Sequence, residues 1–304
     1  MKLKMNLNSK MYFFILATCI IIFVVAIGYI SINFKKQSLE SAKEMIDIKT
    51  LEYSLFSESF MDEFMAGSKM LAKSFESFRE IPPQKRRDIF MSMMKDVLRQ
   101  NEDFLSVWSI WELNALDSLD TLYVNKPGST YKGNFSPTYY KENGEIKLQK
   151  NDATVLFQGE YYTIPKKTRR ETVLNPYYYS YTGNEEDAIL QTNMITPIII
   201  DEQFFGVVGV DAPLEVFQER IGTINPAKGG YAFLLANNGV FVAHPDSTKI
   251  NIEFDEVFPE LNEEYKILEK VQNGESFSFT MKDPYDQRIK YVSFSPIIIG
   301  ESGT

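Results

Sequence analysis

Twenty-two consecutive residues without a charge, Met11 to Ile32 (MYFFILATCIIIFVVAIGYISI), constrain this 304-residue chain more than any other feature. As a helix they span ~33 Å, the thickness of a bilayer's hydrocarbon core. Lys10 precedes the run, and Lys35 and Lys36 follow it. The run is long for the apolar part of a secretion signal, and Ala26-Ile27-Gly28 is a poor cleavage site. The expectation is therefore a retained membrane helix over residues 11–33. Lys2, Lys4, Lys10 and the amino terminus outnumber Lys35 and Lys36. That bias keeps residues 1–10 in the cytoplasm and sends the remainder to the outer side of the cytoplasmic membrane. Cys19, the only cysteine, falls inside the run as a small apolar filler, so no disulfide within the chain is possible.

Charge divides the chain the same way. Residues 1–36 carry five lysines and no acid, while the remainder carries 27 basic and 41 acidic residues. An acidic body lacks the basic surface that phosphate binding needs, so a nucleic-acid partner is not expected. One histidine, His244, in Ala243-His244-Pro245-Asp246, removes most zinc sites and most nucleophile–histidine arrangements. It follows a strand with no cysteine or second histidine nearby, so a structural role is expected. Gly206-Val207-Val208-Gly209 has the wrong spacing for a nucleotide loop. No motif asks for a cofactor or a metal.

From Gln37 to Glu80 there is no proline and one glycine, Gly67, with apolar residues at gaps of three and four. This predicts an amphipathic helix rising from the membrane, ended by Ile81-Pro82-Pro83. Gln84 to Gln100 is a second helix. Beyond Asp103 the pattern turns aromatic and β-branched. Strands are expected over Phe104–Glu112, on either side of Asn143-Gly144, and over Ile189–Ile200 and Phe204–Val210, followed by a helix from Ala212 to Ile221 entered through Pro213. A smaller cycle follows. Tyr231–Ala236 and Val240–Ala243 pair across Asn237-Asn238-Gly239, then come a helix over Glu260–Val271 and strands over Ser276–Met281 and Lys290–Ser295. The fold class is α+β: a membrane helix, a long amphipathic helix and two mixed modules with antiparallel sheets. The last strand lacks an edge partner, so the second module reads as incomplete and the chain as a truncated product.

Several stretches carry a resemblance: Trp111-Glu112-Leu113-Asn114-Ala115-Leu116-Asp117, Gly133-Asn134-Phe135-Ser136-Pro137, Tyr161-Tyr162 before Pro165-Lys166-Lys167-Thr168, Asn175-Pro176-Tyr177, and Phe205-Gly206-Val207-Val208-Gly209-Val210-Asp211. In order and spacing the chain resembles the double Cache family of extracytoplasmic sensor domains. The resemblance implies two PAS-like modules stacked along the long helix. The membrane-distal one (81–222) would bind a small molecule, and the membrane-proximal one (223–304) would lead to a second span and a cytoplasmic output, a chemotaxis signalling hairpin or a histidine kinase. That span and output are absent from this sequence. Residues 34–80 would be the stalk, and the long helix makes a homodimer plausible.

Asp211 is the central site candidate. One reading makes it a helix-start acid, with Ala212 as the cap and Pro213 at the first helical position. The other gives it a ligand. Alternation puts Phe205, Val207, Gly209 and Asp211 on one face, with Gly209 leaving room beside the carboxylate. The resemblance implies that an aspartate here holds a ligand's amino group. Family members that take amino acids carry an arginine two residues before an aromatic pair; aligned on Tyr139-Tyr140, that place is Pro137. An amine without a carboxylate, or a small heterocycle, therefore fits better than a standard α-amino acid. Tyr139 and Tyr140 point to opposite faces, so at least one is structural. Trp111, beside small Ser109, is expected to wall the pocket, whereas Trp108 and Ile110 suit packing on the long helix. Glu112 is a second anion or an exposed strand end. The tract Tyr161, Tyr162, Tyr177, Tyr178, Tyr179 and Tyr181 offers flat walls with polar tips or mere loop packing. Tyr162, Asn175 and Tyr177 complete the candidate set, and Lys166, Lys167, Arg169 and Arg170 read as a solvated turn. The expected function is sensing without catalysis. Two rivals are a docking ectodomain whose cavity is filled by tyrosines, and a tethered hydrolase pairing Glu112 with Asp211.

Overall fold

The computed structural model describes residues 7–150, 156–227, 229–283, 287–300 and 302. They group into two compact units, one of residues up to Lys49 with Ser278–Ser293, the other of Thr50–Phe277 with the residues from Phe294 on. The architecture is mixed α+β, a long apolar amino-terminal helix followed by an antiparallel-sheet, PAS-like fold.

Helix α1 runs unbroken from Leu7 to Phe75, merging the expected membrane and amphipathic segments. Its most apolar stretch has a mean hydropathy of 2.8 and none of it is buried. A single 3-10 segment, Glu76–Glu80, closes it before Pro82 and Pro83, and α2 (Pro83–Gln100) starts on proline, which lacks the N–H that a first helical turn leaves unpaired. From Phe60 onward α1 buries one stripe, Phe60, Phe64, Leu71 and Phe75, and α2 buries Phe90, Met94 and Leu98 beside it. Phe75 and Phe90 stack with centroids 4.0 Å apart. Arg87 of α2 is buried with Asp117 and Asp120. It donates from Nε to Asp117 at 2.7 Å and from Nη2 to Asp120 at 2.5 Å, tying the loop after the first strand to the helix. Burial is the largest influence on Asp120 and raises its pKa.

The helices cover one face of a seven-stranded antiparallel sheet. Its strands are β1 (Ser106–Trp111), β2 (Thr138–Glu142), β3 (Glu145–Leu148), β4 (Thr172–Val173), β5 (Tyr177–Tyr179), β6 (Ile189–Ile200) and β7 (Gln203–Pro213). The order is β3-β2-β1-β7-β6-β4, with β5 also on β6. A short helix, α3 (Glu160–Thr168), lies between β3 and β4 in sequence. The turn at Asn143-Gly144 is as the sequence predicts, and Asp201-Glu202 makes a second two-residue turn where β6 meets β7. Asn143-Gly144 and Asp201-Glu202 each take positive φ at both positions.

The register corrects two expectations. Pairing of β6 with β7 slips by one residue, from Ile198↔Gly206 to Ile199↔Phe204. This bulge sends Phe205 to the helix-facing core while Val207 packs on the opposite face. Gly206 permits the close approach, because a Cβ there would lie 2.2 Å from Ile110 O. In β1, Val107 and Trp111 face the helices and Trp108 and Ile110 face away, the reverse of the parity expected. Strand β7 is also longer than expected. It extends to Pro213, and α4 occupies Leu214–Ile221.

The second cycle is built from smaller pieces. β8 (Leu234–Leu235) pairs with β9 (Phe241–Ala243), short of the strand expected from Tyr231. The expected helix over Glu260–Val271 is divided at Lys266, which is left-handed, into α6 (Pro259–Tyr265) and α7 (Ile267–Gln272), after a one-turn α5 (Phe254–Val257). Strands β10 (Phe277–Lys282) and β11 (Ile289–Phe294) form a hairpin. Within the first unit, Tyr291 donates to Asp47 at 2.8 Å and lies 2.7 Å from Ser278 Oγ.

Candidate functional site

Asp211 lies within β7, opposite Asn193 on β6 and Ser106 on β1, so it is no helix cap. Its side chain is on the face away from the helices and only 2% exposed. Four donors surround the carboxylate. Trp108 Nε1 donates to Oδ1 at 2.7 Å, Asn193 Nδ2 donates to the same oxygen, Tyr181 Oη lies 2.5 Å from Oδ2, and Ser106 Oγ donates to Oδ2. The room expected beside Gly209 is taken by indole, since a Cβ there would lie 2.1 Å from Trp108 Cζ2. Tyr140 stacks on Tyr181 at 4.9 Å, Tyr179 meets Tyr181 edge-on at 4.9 Å, and Tyr161 meets Trp108 edge-on at 5.8 Å.

Two acceptors share one proton here. The single proton of Tyr181 faces both Asp211 and Gln191 Oε1, the latter at 2.7 Å. Gln191 Nε2 is used on Tyr177 Oη at 3.3 Å. Asn193 Oδ1 is buried and, among the described residues, has no hydrogen-bond partner. No cation pairs with Asp211 among the described residues either. Burial drives the Asp211 pKa up, and the surrounding donors pull it partway back. Burial, and next the Asp211 charge, raise Tyr177 and Tyr181; burial pushes Tyr161 up to about 12. The cluster thus holds a buried carboxylate, flat rings and one carbonyl oxygen, Asn193 Oδ1, left without a donor among the described residues.

Residues 112–219 match the family model for the first PDC sensor domain of methyl-accepting chemotaxis protein-like receptors. Over those residues the chain is similar to a PDC sensor domain, of the double Cache kind. Over 179 residues the chain is 28% identical to the methyl-accepting chemotaxis protein TlpQ of Pseudomonas aeruginosa, covering 52% of this chain and 24% of TlpQ. With PscA of Pseudomonas syringae pv. tomato it shares 28% identity over 136 residues, 43% of this chain and 21% of PscA. The chain thus spans under a quarter of the length of these curated relatives. The extracellular domain of mmHK1S-Z2, a protein assigned as a histidine kinase, superimposes with a TM-score of 0.73 at 25% identity, covering 84% of this chain and 92% of that one. The PDC domain is thus of the extracellular sensor type found in chemoreceptors and histidine kinases.

Around the PDC domain the expected site residues separate into groups. Asp211, Tyr140 and Tyr177 belong to the acceptor cluster, Tyr140 through its stack on Tyr181. Tyr139 lies in the helix-facing core. Trp111 does too, fully buried against Phe75, Phe78 and Phe90, so it does not wall the Asp211 site. Its Nε1 has no hydrogen-bond partner among the described residues. Tyr162 packs with Trp108 and Phe204 and donates to Glu112 Oε1 at 2.5 Å, where Lys166 also binds. Glu112 follows the end of β1 opposite to Ser106, about 20 Å along the strand from Asp211. That separation removes the paired-carboxylate arrangement. Asn175 is exposed between β4 and β5 and is not a partner of Asp211. Sequence reasoning passed over Ser106, Trp108, Gln191 and Asn193. The signal for the last two was the polar step Gln191-Thr192-Asn193 inside an otherwise apolar strand.

Proposed function

We propose that this chain is the extracytoplasmic sensing part of a transmembrane receptor and that its ligand is a small amine, or a protonatable heterocycle, bound at Asp211. Residues 11–33 hold it in the cytoplasmic membrane with residues 1–10 inside. Residues 81–222 form the ligand-binding module, and the module from 223 on leads toward the output. The supporting observation is a buried carboxylate with no cation beside it among the described residues, next to a carbonyl oxygen, Asn193 Oδ1, that lacks a hydrogen-bond partner among them. In this reading an ammonium donates to Asp211 and Asn193 Oδ1, while Trp108, Tyr177 and Tyr181 supply rings. Pro137 stands where a guanidinium would grip a carboxylate, so standard α-amino acids are disfavoured. Exposed Met45, Ile48, Leu51 and Leu55 recur at gaps of three and four along α1, a seam suited to a second copy. Ligand binding alters the strand that leads directly into α4, and the change passes toward the membrane only if the ligand prefers one arrangement over the other.

Calorimetry with linear amines, purines and amino acids tests the reading. Amines should bind saturably and Asp211→Asn should remove that binding. Binding of amino acids alone, or silence from the whole panel, would overturn it.

A further inference from the structure

The chain's only histidine occupies a second aromatic cluster, in the module after α4. His244 follows β9 and is 3% exposed. Gln218 of α4 clamps its backbone from both sides. His244 N donates to Gln218 Oε1 at 2.9 Å, and Gln218 Nε2 donates to His244 O at 2.8 Å. The imidazole Nδ1 lies 2.9 Å from Asp246 N and 3.2 Å from Asp246 O. A backbone N–H can only donate, so the shorter contact requires a lone pair on Nδ1 and leaves the proton on Nε2. Nε2 is buried and has no hydrogen-bond partner among the described residues.

Rings surround it. Phe241 lies 5.2 Å, Tyr231 5.3 Å and Phe233 6.3 Å from the imidazole, centroid to centroid. Phe233 continues the cluster to Phe294 at 5.6 Å. Tyr231 is exposed and Phe233 and Phe294 are half-buried, so the cluster reaches the surface on that side. Burial is the largest influence on the imidazole's pKa and lowers it; Lys249 lowers it further and Asp246 raises it. A fixed, buried N–H donor with flat apolar neighbours suits a strong acceptor, such as a carboxylate, attached to a ring or a small apolar body.

We propose that the module after α4 contains a second small-molecule site, where His244 Nε2–H donates to the carboxylate of an aromatic or apolar acid packed among Tyr231, Phe233 and Phe241. It is separate from the Asp211 site and selects the opposite charge. The Gln218 clamp joins it to the helix that continues from the Asp211 strand.

Benzoate is the probe. The full chain, purified in detergent without a histidine tag and labelled with ¹⁵N in its imidazole, gives a single histidine signal. Benzoate should shift the Nε2 resonance saturably, with matching heat in calorimetry. His244→Phe, which keeps a ring in place, should weaken benzoate binding about tenfold or more, and His244→Gln, which restores an N–H donor, should recover part of it. Asp211→Asn should leave benzoate binding unchanged. An Nε2 resonance that ignores benzoate would show the N–H to be satisfied by ring faces and would overturn the proposal. So would undiminished binding in His244→Phe, or binding lost in Asp211→Asn, which would put benzoate at the first site. Failure of the amine reading leaves each of these outcomes readable, because none involves an amine.

Discussion

The surroundings of Asp211 and of His244 are alike in their walls and opposite in their polarity. Both are aromatic clusters around one buried ionisable side chain. At Asp211 two acceptors share the Tyr181 proton, and a third, Asn193 Oδ1, has no donor among the described residues. At His244 one proton has no acceptor. The rings supply apolar contact in either case, so the sign of the unmet hydrogen bond, rather than the aromatic content, separates the ligand classes.

The largest effect that can break this contrast is at Asp211. Asp211→Asn should weaken amine binding by about 30-fold or more, since losing one side of a buried charge pair costs ~2–5 kcal/mol; calorimetry reads it. If amines bind as tightly as before, the Asp211 cluster is not a ligand site.

Tyr181→Phe removes the proton that Asp211 and Gln191 share. The ligand-free protein should lose about 1–3 kcal/mol in urea unfolding. The deficit should shrink when an amine saturates the site, because the ligand then donates in the hydroxyl's place. An equal deficit with and without amine would make Tyr181 purely structural.

Gln218→Ala cuts both bonds to the His244 backbone and should cost about 1–2 kcal/mol. If the clamp connects the two clusters, this variant should also remove the response of the His244 imidazole signal to amine. A preserved response would place the connection elsewhere.

The smallest effect is in pH dependence, where the two residues act with opposite sign. Asp211 has its pKa raised by burial, so the folded state binds its proton more readily than the unfolded chain does. Relative to Asp211→Asn, the wild type should gain stability as pH falls from above the raised value toward the ordinary 3.8. His244 has its pKa lowered by burial, so the unfolded chain takes the proton first. Relative to His244→Phe, the wild type should lose stability as pH falls below 6.5. Urea unfolding across this range measures both slopes, and slopes of the same sign would contradict the burial described for one of them.

Much of the scaffold was legible from residue order. The apolar run before Lys35, the proline stop at Pro82-Pro83, the turn at Asn143-Gly144, and the two long apolar strands β6 and β7 are local consequences of backbone chemistry and residue pattern. Asp211 was legible because a lone carboxylate ends an apolar run. Trp108 and Trp111 were assigned to the wrong faces for a physical reason. Alternation divides a strand into two sets of side chains, yet both sets here are apolar enough to be buried, so nothing local says which one meets the helices.

By itself the sequence determined a membrane-length helix, an α+β body with antiparallel strands and its likeness to a sensor family, since each rests on spacing within a short stretch of chain. Only the tertiary structure decided that Asp211 is a strand residue ringed by Ser106, Trp108, Tyr181 and Asn193, that a one-residue bulge turns Phe205 away from Val207, and that His244 is clamped by Gln218. These depend on register and on partners more than a hundred residues apart. A hydrogen bond left unmade becomes visible only when every neighbour that could have made it is in place.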